Sequence, residues 1–201
     1  SSFFSKMWEV RHQSIGCPAS SYVTINFDPT DINKTPIKLE WYDGGLRPSY
    51  PSLIPTDTYL GGKRNTNGVM MIGEDGIITT DVYGKNPRLF TRDKQVISPK
   101  IKNLPKDDWG HQRMWIDAIK DGYGSSKHKM LTSSFDYAGP MTETVLMGNI
   151  AIRSYLLNKN GNPDSVRITG KNRNSYYGRK KLTWDGENMK ITNFEDANQF
   201  V

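Results

Sequence analysis

Cysteine is nearly absent: Cys17 stands alone, so no intramolecular disulfide can form and cysteine usage leaves the redox compartment unread. No stretch approaches the eighteen or more apolar residues of a membrane span, so no membrane partner is expected. The opening SSFFSKMWEV does not carry the basic-then-apolar pattern of a secretory leader. Glycine-rich phosphate loops are missing too: no G-x-G-x-x-G follows a strand, no G-x-x-x-x-G-K-[ST] is present, and no G-x-S-x-G elbow occurs. The histidines, His12, His111 and His128, lie far apart with no i, i+4 pair, which with a single cysteine argues against a protein-ligated metal.

What is present supports a folded chain. At 201 residues it is long enough for a substantial core, and one domain spanning 1–201 is the expectation. The 5 Trp, 10 Tyr and 7 Phe argue against disorder. A net charge of +6 permits an anionic partner. The basic residues concentrate in KNRNSYYGRKK (171–181), where Tyr176 and Tyr177 interleave with Arg173, Arg179, Lys180 and Lys181. This is the best nucleic-acid candidate, but no helix-turn-helix or zinc-finger pattern joins it. A solvated loop is the better reading, and no nucleic-acid partner is expected.

Strands come first and helices later. KMWEVRHQ (6–13) and SSYVTINF (20–27) read as strands, and IKLEWY (37–42) alternates with period two as a half-buried strand should, before Asp43-Gly44-Gly45 ends it. Two apolar runs around Glu74-Asp75-Gly76 read as a hairpin with glycine accepting positive φ. Prolines at 87, 99 and 105 make 86–106 read as a surface connection. In DDWGHQRMWIDAIKDG, Asp107 or Asp108 can cap a helix that Gly122 closes, with Gln112, Trp115, Ile116 and Ile119 as a core stripe. GPMTETVLMGNIAIRSYLL reads as a second helix, with Pro140 in its first turn and apolar residues around most of its circumference, well buried against a sheet. KKLTWDGENMKIT reads as a short hairpin, followed by the polar tail NFEDANQFV. The class is α+β: an open, largely antiparallel sheet with helices packed on one face.

Several residues admit two roles. Trp41, Tyr42 and Asp43 suit either a strand end or a pocket rim, since carbohydrate sites favour aromatic planes and carboxylates; Gly44 and Gly45 suit a turn. Glu143, in the first turn of the second helix, suits the macrodipole better than acid–base work, and Asp136 and Tyr137 precede that helix as capping candidates. His111 divides evenly between a hydrogen-bonded core histidine and a cleft residue.

The succession IKLEWYDGGLRP, MIGEDGIITTDVYGKNPRLF, WGHQRMWIDAIKDG, SSFDYAGPMTETVLMGNIAIRS and KLTWDGENMKITNFEDANQFV resembles the C-terminal domain of the Gfo/Idh/MocA oxidoreductases, closest to the branch common in polysaccharide-degrading bacteria. The resemblance covers nearly the whole chain, with its blocks in order. A complete member adds an N-terminal Rossmann domain with a glycine-rich dinucleotide loop, a Glu-Lys-Pro segment and a histidine segment, none of which is in this sequence.

The resemblance therefore implies a fragment or processed product, whose partner is the missing Rossmann domain. The chain would be the substrate-binding and assembly domain of an NAD(P)-dependent sugar or polyol oxidoreductase, inactive alone. NAD or NADP would belong to the full-length protein and no cofactor to this chain. Some relatives use the chemistry transiently to cleave glycosides. A homo-oligomer built through the sheet is expected, in a bacterial cytoplasm or periplasm. Trp41, Tyr42, Asp43, Trp109 and His111 are the expected substrate contacts, with His111 binding without transferring its proton and no catalytic residue here. The competing reading is a non-catalytic carbohydrate-binding or protein-interaction module on the same sheet.

Overall fold

The computed structural model describes residues 18–61, 67–100, 109–155, 157–159, 177–178 and 180–201. It divides into two compact units, one from Ser1–Arg47 with Lys129–Val201 and one from Pro48–His128. The class is α+β, and every strand pair among the described residues is antiparallel. The expected strand at 6–13 and most of the basic segment 171–181 lie outside the described residues.

In the first unit, β1 (Tyr22–Phe27) pairs with β2 (Ile37–Tyr42), with Tyr22 opposite Tyr42 and Phe27 opposite Ile37. Alternation sorts the side chains: Val23, Ile25, Phe27, Ile37, Leu39 and Trp41 share one face, and Tyr22, Thr24, Asn26, Lys38, Glu40 and Tyr42 the other. β1 is half-buried, whereas β2, expected as the half-buried strand, is exposed from Ile37 to Trp41. Alternation identifies a strand with an apolar side; it does not supply the layer that covers it.

The second unit holds a four-stranded meander, β3 (Val69–Ile72), β4 (Gly76–Thr80), β5 (Arg88–Thr91) and β6 (Val96–Ile97). Its core is Ile54, Ile77 and Phe90, with Tyr50, Leu53 and Met70 against them. The β3–β4 hairpin forms as expected, but Gly76 is not at positive φ. It is required for space: a Cβ there would lie 2.6 Å from the Phe90 carbonyl oxygen on the neighbouring strand. Residues 88–97, expected as a connection, are a hairpin instead, because Pro87 and Pro99 bracket the strands and Phe90 anchors them.

α1 (Gly110–Asp121) ends at Gly122, whose N–H donates to the Ala118 carbonyl, as expected. Its N-cap is Trp109, without a side-chain cap bond, and Asp107 and Asp108 lie outside the described residues. The stripe expected in the core is exposed, Trp115 at 55% and Ile119 at 60%; Ala118 is the buried position. The small alanine, away from the stripe, marks the side that approaches the protein.

α2 (Ser126–Lys129) is one turn, and α3 (Phe135–Tyr155) packs against β1. α3 begins earlier than expected, so Pro140 lies inside it and Asp136 and Tyr137 belong to its first turn. Only Ile150 and Ser154 of α3 are buried, fewer than its apolar circumference led one to expect. β7 (Trp184–Asp185) and β8 (Lys190–Ile191) form the last hairpin. The polar tail is structured as a 3₁₀ turn, Glu195–Phe200. Phe194 and Ala197 join Ile150 and Ile191 in the core, and the Asn198 amide both accepts from the Ile191 N–H (2.7 Å) and donates to its carbonyl (3.0 Å), as a neighbouring strand would.

Candidate functional site

The end of the β1–β2 ladder carries the densest polar and aromatic constellation. β2 delivers Trp41 and the chain then turns at Asp43, where Leu46 N–H donates to the Asp43 carbonyl at 3.0 Å and the two central residues, Gly44 and Gly45, sit at φ 58° and 94°. Only glycine takes both conformations without strain, so the turn role expected for the pair holds.

Asp43 is the hub on one side. Its Oδ1 accepts from the Ser21 N–H at 2.5 Å, and its Oδ2 accepts from Ser21 Oγ (2.7 Å) and Trp41 Nε1 (3.1 Å). Partial burial works upward on its pKa, but the bonds from the Ser21 hydroxyl, the Ser21 N–H and the indole outweigh it and hold the carboxyl below the ordinary range. The consequence for Trp41 is orientation. With its N–H tied to Asp43, the indole is fixed while 59% exposed, offering a flat apolar plane beside polar groups.

Tyr42 projects to the opposite face. Its ring lies 4.7 Å from that of Tyr22. Glu40 accepts from the Tyr22 hydroxyl at 2.5 Å and from Tyr42 at 3.5 Å, and Lys38 Nζ lies 2.5 Å from Glu40. Desolvation, then the Tyr22 hydroxyl and Glu40, push the Tyr42 phenol up to about 12. The Glu40 bond raises Lys38; the Lys38 and Tyr22 bonds lower Glu40. All four shifted groups at this strand end move away from neutrality. The cluster can hold and orient a polar ligand but has no group tuned among these four to exchange a proton near pH 7.

The structure thus brings Trp41 and Asp43 together and sends Tyr42 to the other side with Tyr22 and Glu40, a division already implied by strand alternation. Trp109 and His111 belong to the other unit, exposed at the start of α1. Ser21, Tyr22 and Glu40 were not singled out in the sequence, since their part depends on strand register. Glu143, expected to serve the helix dipole, lies in the ninth position of α3 and accepts the Trp184 indole N–H at 2.6 Å. Together with Arg153, Phe200 and Met189 these residues line a cavity of about 330 Å³. A second cavity of about 370 Å³ on the other unit is lined by Asp57, Tyr59, Arg88 and Phe90, with Arg88 Nη2 donating to the carbonyls of Tyr59 (2.7 Å) and Leu60 (3.1 Å).

No group of three or more His, Cys, Asp or Glu side chains placed to hold a metal ion is found among the described residues. Among the same residues every strand pair is antiparallel, so none of them forms a βαβ unit. No helix among them is long and apolar enough to cross a membrane. No protein-family model matches the chain, and no curated protein sequence matches it.

Proposed function

We propose that this chain is the substrate-binding and assembly half of an NAD(P)-dependent oxidoreductase acting on a sugar or polyol, inactive by itself. The observation that carries the reading is the indole of Trp41, half-exposed and locked by Asp43 at a strand end. A pyranose presents an apolar C–H face and a rim of hydroxyls, and an oriented aromatic plane beside fixed polar groups meets both. The ordered blocks that resemble the Gfo/Idh/MocA C-terminal domain support the same reading. Redox chemistry would come from a separate dinucleotide-binding domain, with this chain fixing the sugar's orientation.

A non-catalytic carbohydrate-binding module is the second reading, favoured by the four ionisable groups shifted away from neutral pH. Reading the gene upstream of Ser1 separates the two: a glycine-rich βαβ unit supports the oxidoreductase, and its absence supports the module. Sugar binding itself is tested by titrating free hexoses into the chain and Trp41→Ala by calorimetry, with NAD as a parallel ligand. We expect hexose binding weakened about five- to thirtyfold by the substitution, in line with loss of roughly 1–2 kcal/mol of aromatic contact, and no saturable micromolar NAD binding. Equal hexose affinities would remove Trp41 from the site.

A further inference from the structure

We propose that two copies of this chain pair edge to edge through β2, antiparallel, with Leu39 on the two-fold axis, giving a continuous sheet β1–β2–β2–β1. Among the described residues β2 has one neighbour, β1, and all its residues from Ile37 to Trp41 are exposed. The phase of the ladder is fixed at its end, where the Asp43 N–H donates to the Ser21 carbonyl at 3.1 Å. Bonded and non-bonded pairs alternate in an antiparallel ladder. Trp41, Leu39 and Ile37 therefore direct their main-chain groups toward β1, and Lys38, Glu40 and Tyr42 direct theirs to the open edge.

That edge can accept a second β2 in few registers, because outward groups must meet outward groups. One register places Lys38 opposite Lys38. Another places Glu40 opposite Glu40. Like charges directly opposite destabilise a strand pair. The remaining central register places Lys38 of each copy opposite Glu40 of the other, and leaves Pro36, which has no N–H, at the end opposite Tyr42 rather than in the middle. A lysine alone would guard an edge against pairing. Lys38 and Glu40 pair within one copy at 2.5 Å, and this register places each of them against its opposite in the second copy as well, so that the two pairs form one alternating cluster across the axis.

The apolar side agrees. Directly opposed residues share a face, so Ile37 of one copy meets Trp41 of the other and Leu39 meets Leu39, joining side chains that are 50%, 59% and 37% exposed into one strip. Such an interface is isologous and closes at two copies. It goes beyond the sugar-binding reading and shares Trp41 with it, but charge variants at Lys38 and Glu40 read the pairing while Trp41→Ala reads hexose binding, so the failure of one is distinguishable from the failure of the other.

The test is the mass of the chain in solution, by sedimentation equilibrium, for the parent, Lys38→Glu, Glu40→Lys and an equimolar mixture of the two variants. We expect a dimer for the parent and a dissociation constant raised about tenfold or more for each variant alone. The mixture should recover the dimer, because each introduced charge then faces its opposite across the axis. A parent that stays monomeric at millimolar concentration, a variant as dimeric as the parent, or a mixture no more associated than its components overturns the proposal. Circular dichroism reports folding. If a charge variant does not fold, Glu40→Pro replaces it, since that nitrogen faces away from β1: a folded monomer supports the pairing and a folded dimer overturns it.

Discussion

Replacing Gly44 and Gly45 one at a time by alanine separates two costs that usually travel together. Both residues sit at positive φ, where a Cβ costs about 1–2 kcal/mol, partly offset by the roughly 0.4–1 kcal/mol that alanine gains from a stiffer unfolded chain. At Gly45 nothing lies within 4 Å of the added carbon, so the net loss should be about 1 kcal/mol. At Gly44 the same carbon would stand 2.0 Å from the Ala19 carbonyl oxygen and 2.4 Å from Ser20 Cα. Ordinary carbon–oxygen contact begins near 3.3 Å, so the turn must retreat by about 1.3 Å from the Ala19–Ser20 segment ahead of β1. That retreat breaks the Ser20 Oγ bond to the Gly44 carbonyl (2.7 Å) and loosens the Ser21–Asp43 pair. At about 1–2 kcal/mol for the bonds disturbed, added to about 1 kcal/mol for positive φ, the total for Gly44→Ala is about 2–3 kcal/mol. Native-state hydrogen exchange at the β1–β2 amides measures the loss where it occurs, and urea unfolding followed by tryptophan fluorescence gives a second value. Gly44→Ala costing no more than Gly45→Ala would refute the reasoning, because strain at positive φ would then account for everything.

The depressed carboxyl of Asp43 makes stability depend on pH in a defined direction: its contribution is complete above the unfolded aspartate value of about 4 and disappears as pH falls through the lower folded value. Asp43→Asn should flatten that acid limb in thermal melts taken from pH 5 to 2, and an unchanged limb would assign it to other groups. Trp184→Phe removes the indole N–H that Glu143 accepts and should cost about 1–2 kcal/mol by urea unfolding, with a double-mutant cycle against Glu143→Ala showing coupling; purely additive losses would mean that the bond contributes nothing.

Several local signals in the sequence held, though not the positive φ expected at Gly76 or the first-turn place expected for Pro140. The β1 and β2 strands, the glycine turn after Asp43 and the Gly122 stop follow from alternation, positive φ and helix termination, each set within a few residues. The 88–97 hairpin was hidden because prolines forbid a central strand but not the residues beside one, and here they flank it. The α1 stripe has helical spacing, yet spacing carries no record of what lies opposite, and Ala118 is the buried side. At the site, Trp41 and Asp43 were legible as neighbours on one face. The bonds from Ser21, the Tyr22–Tyr42 ring pair and the Glu143–Trp184 contact join residues about 20 to 40 positions apart, and only register and packing reveal them.

The order of synthesis meets the two compact units differently. Pro48–His128 is a contiguous stretch, so it leaves the ribosome whole and can close its Ile54–Ile77–Phe90 core while α3 is still unmade. The other unit is split, and its core waits for Ile150 and then for Phe194 and Ala197, all on the far side of the contiguous unit. The β1–β2 hairpin, translated before that unit, must therefore wait through its entire emergence before α3 arrives beside it. During that interval its apolar face is a natural target for chaperones that hold nascent chains.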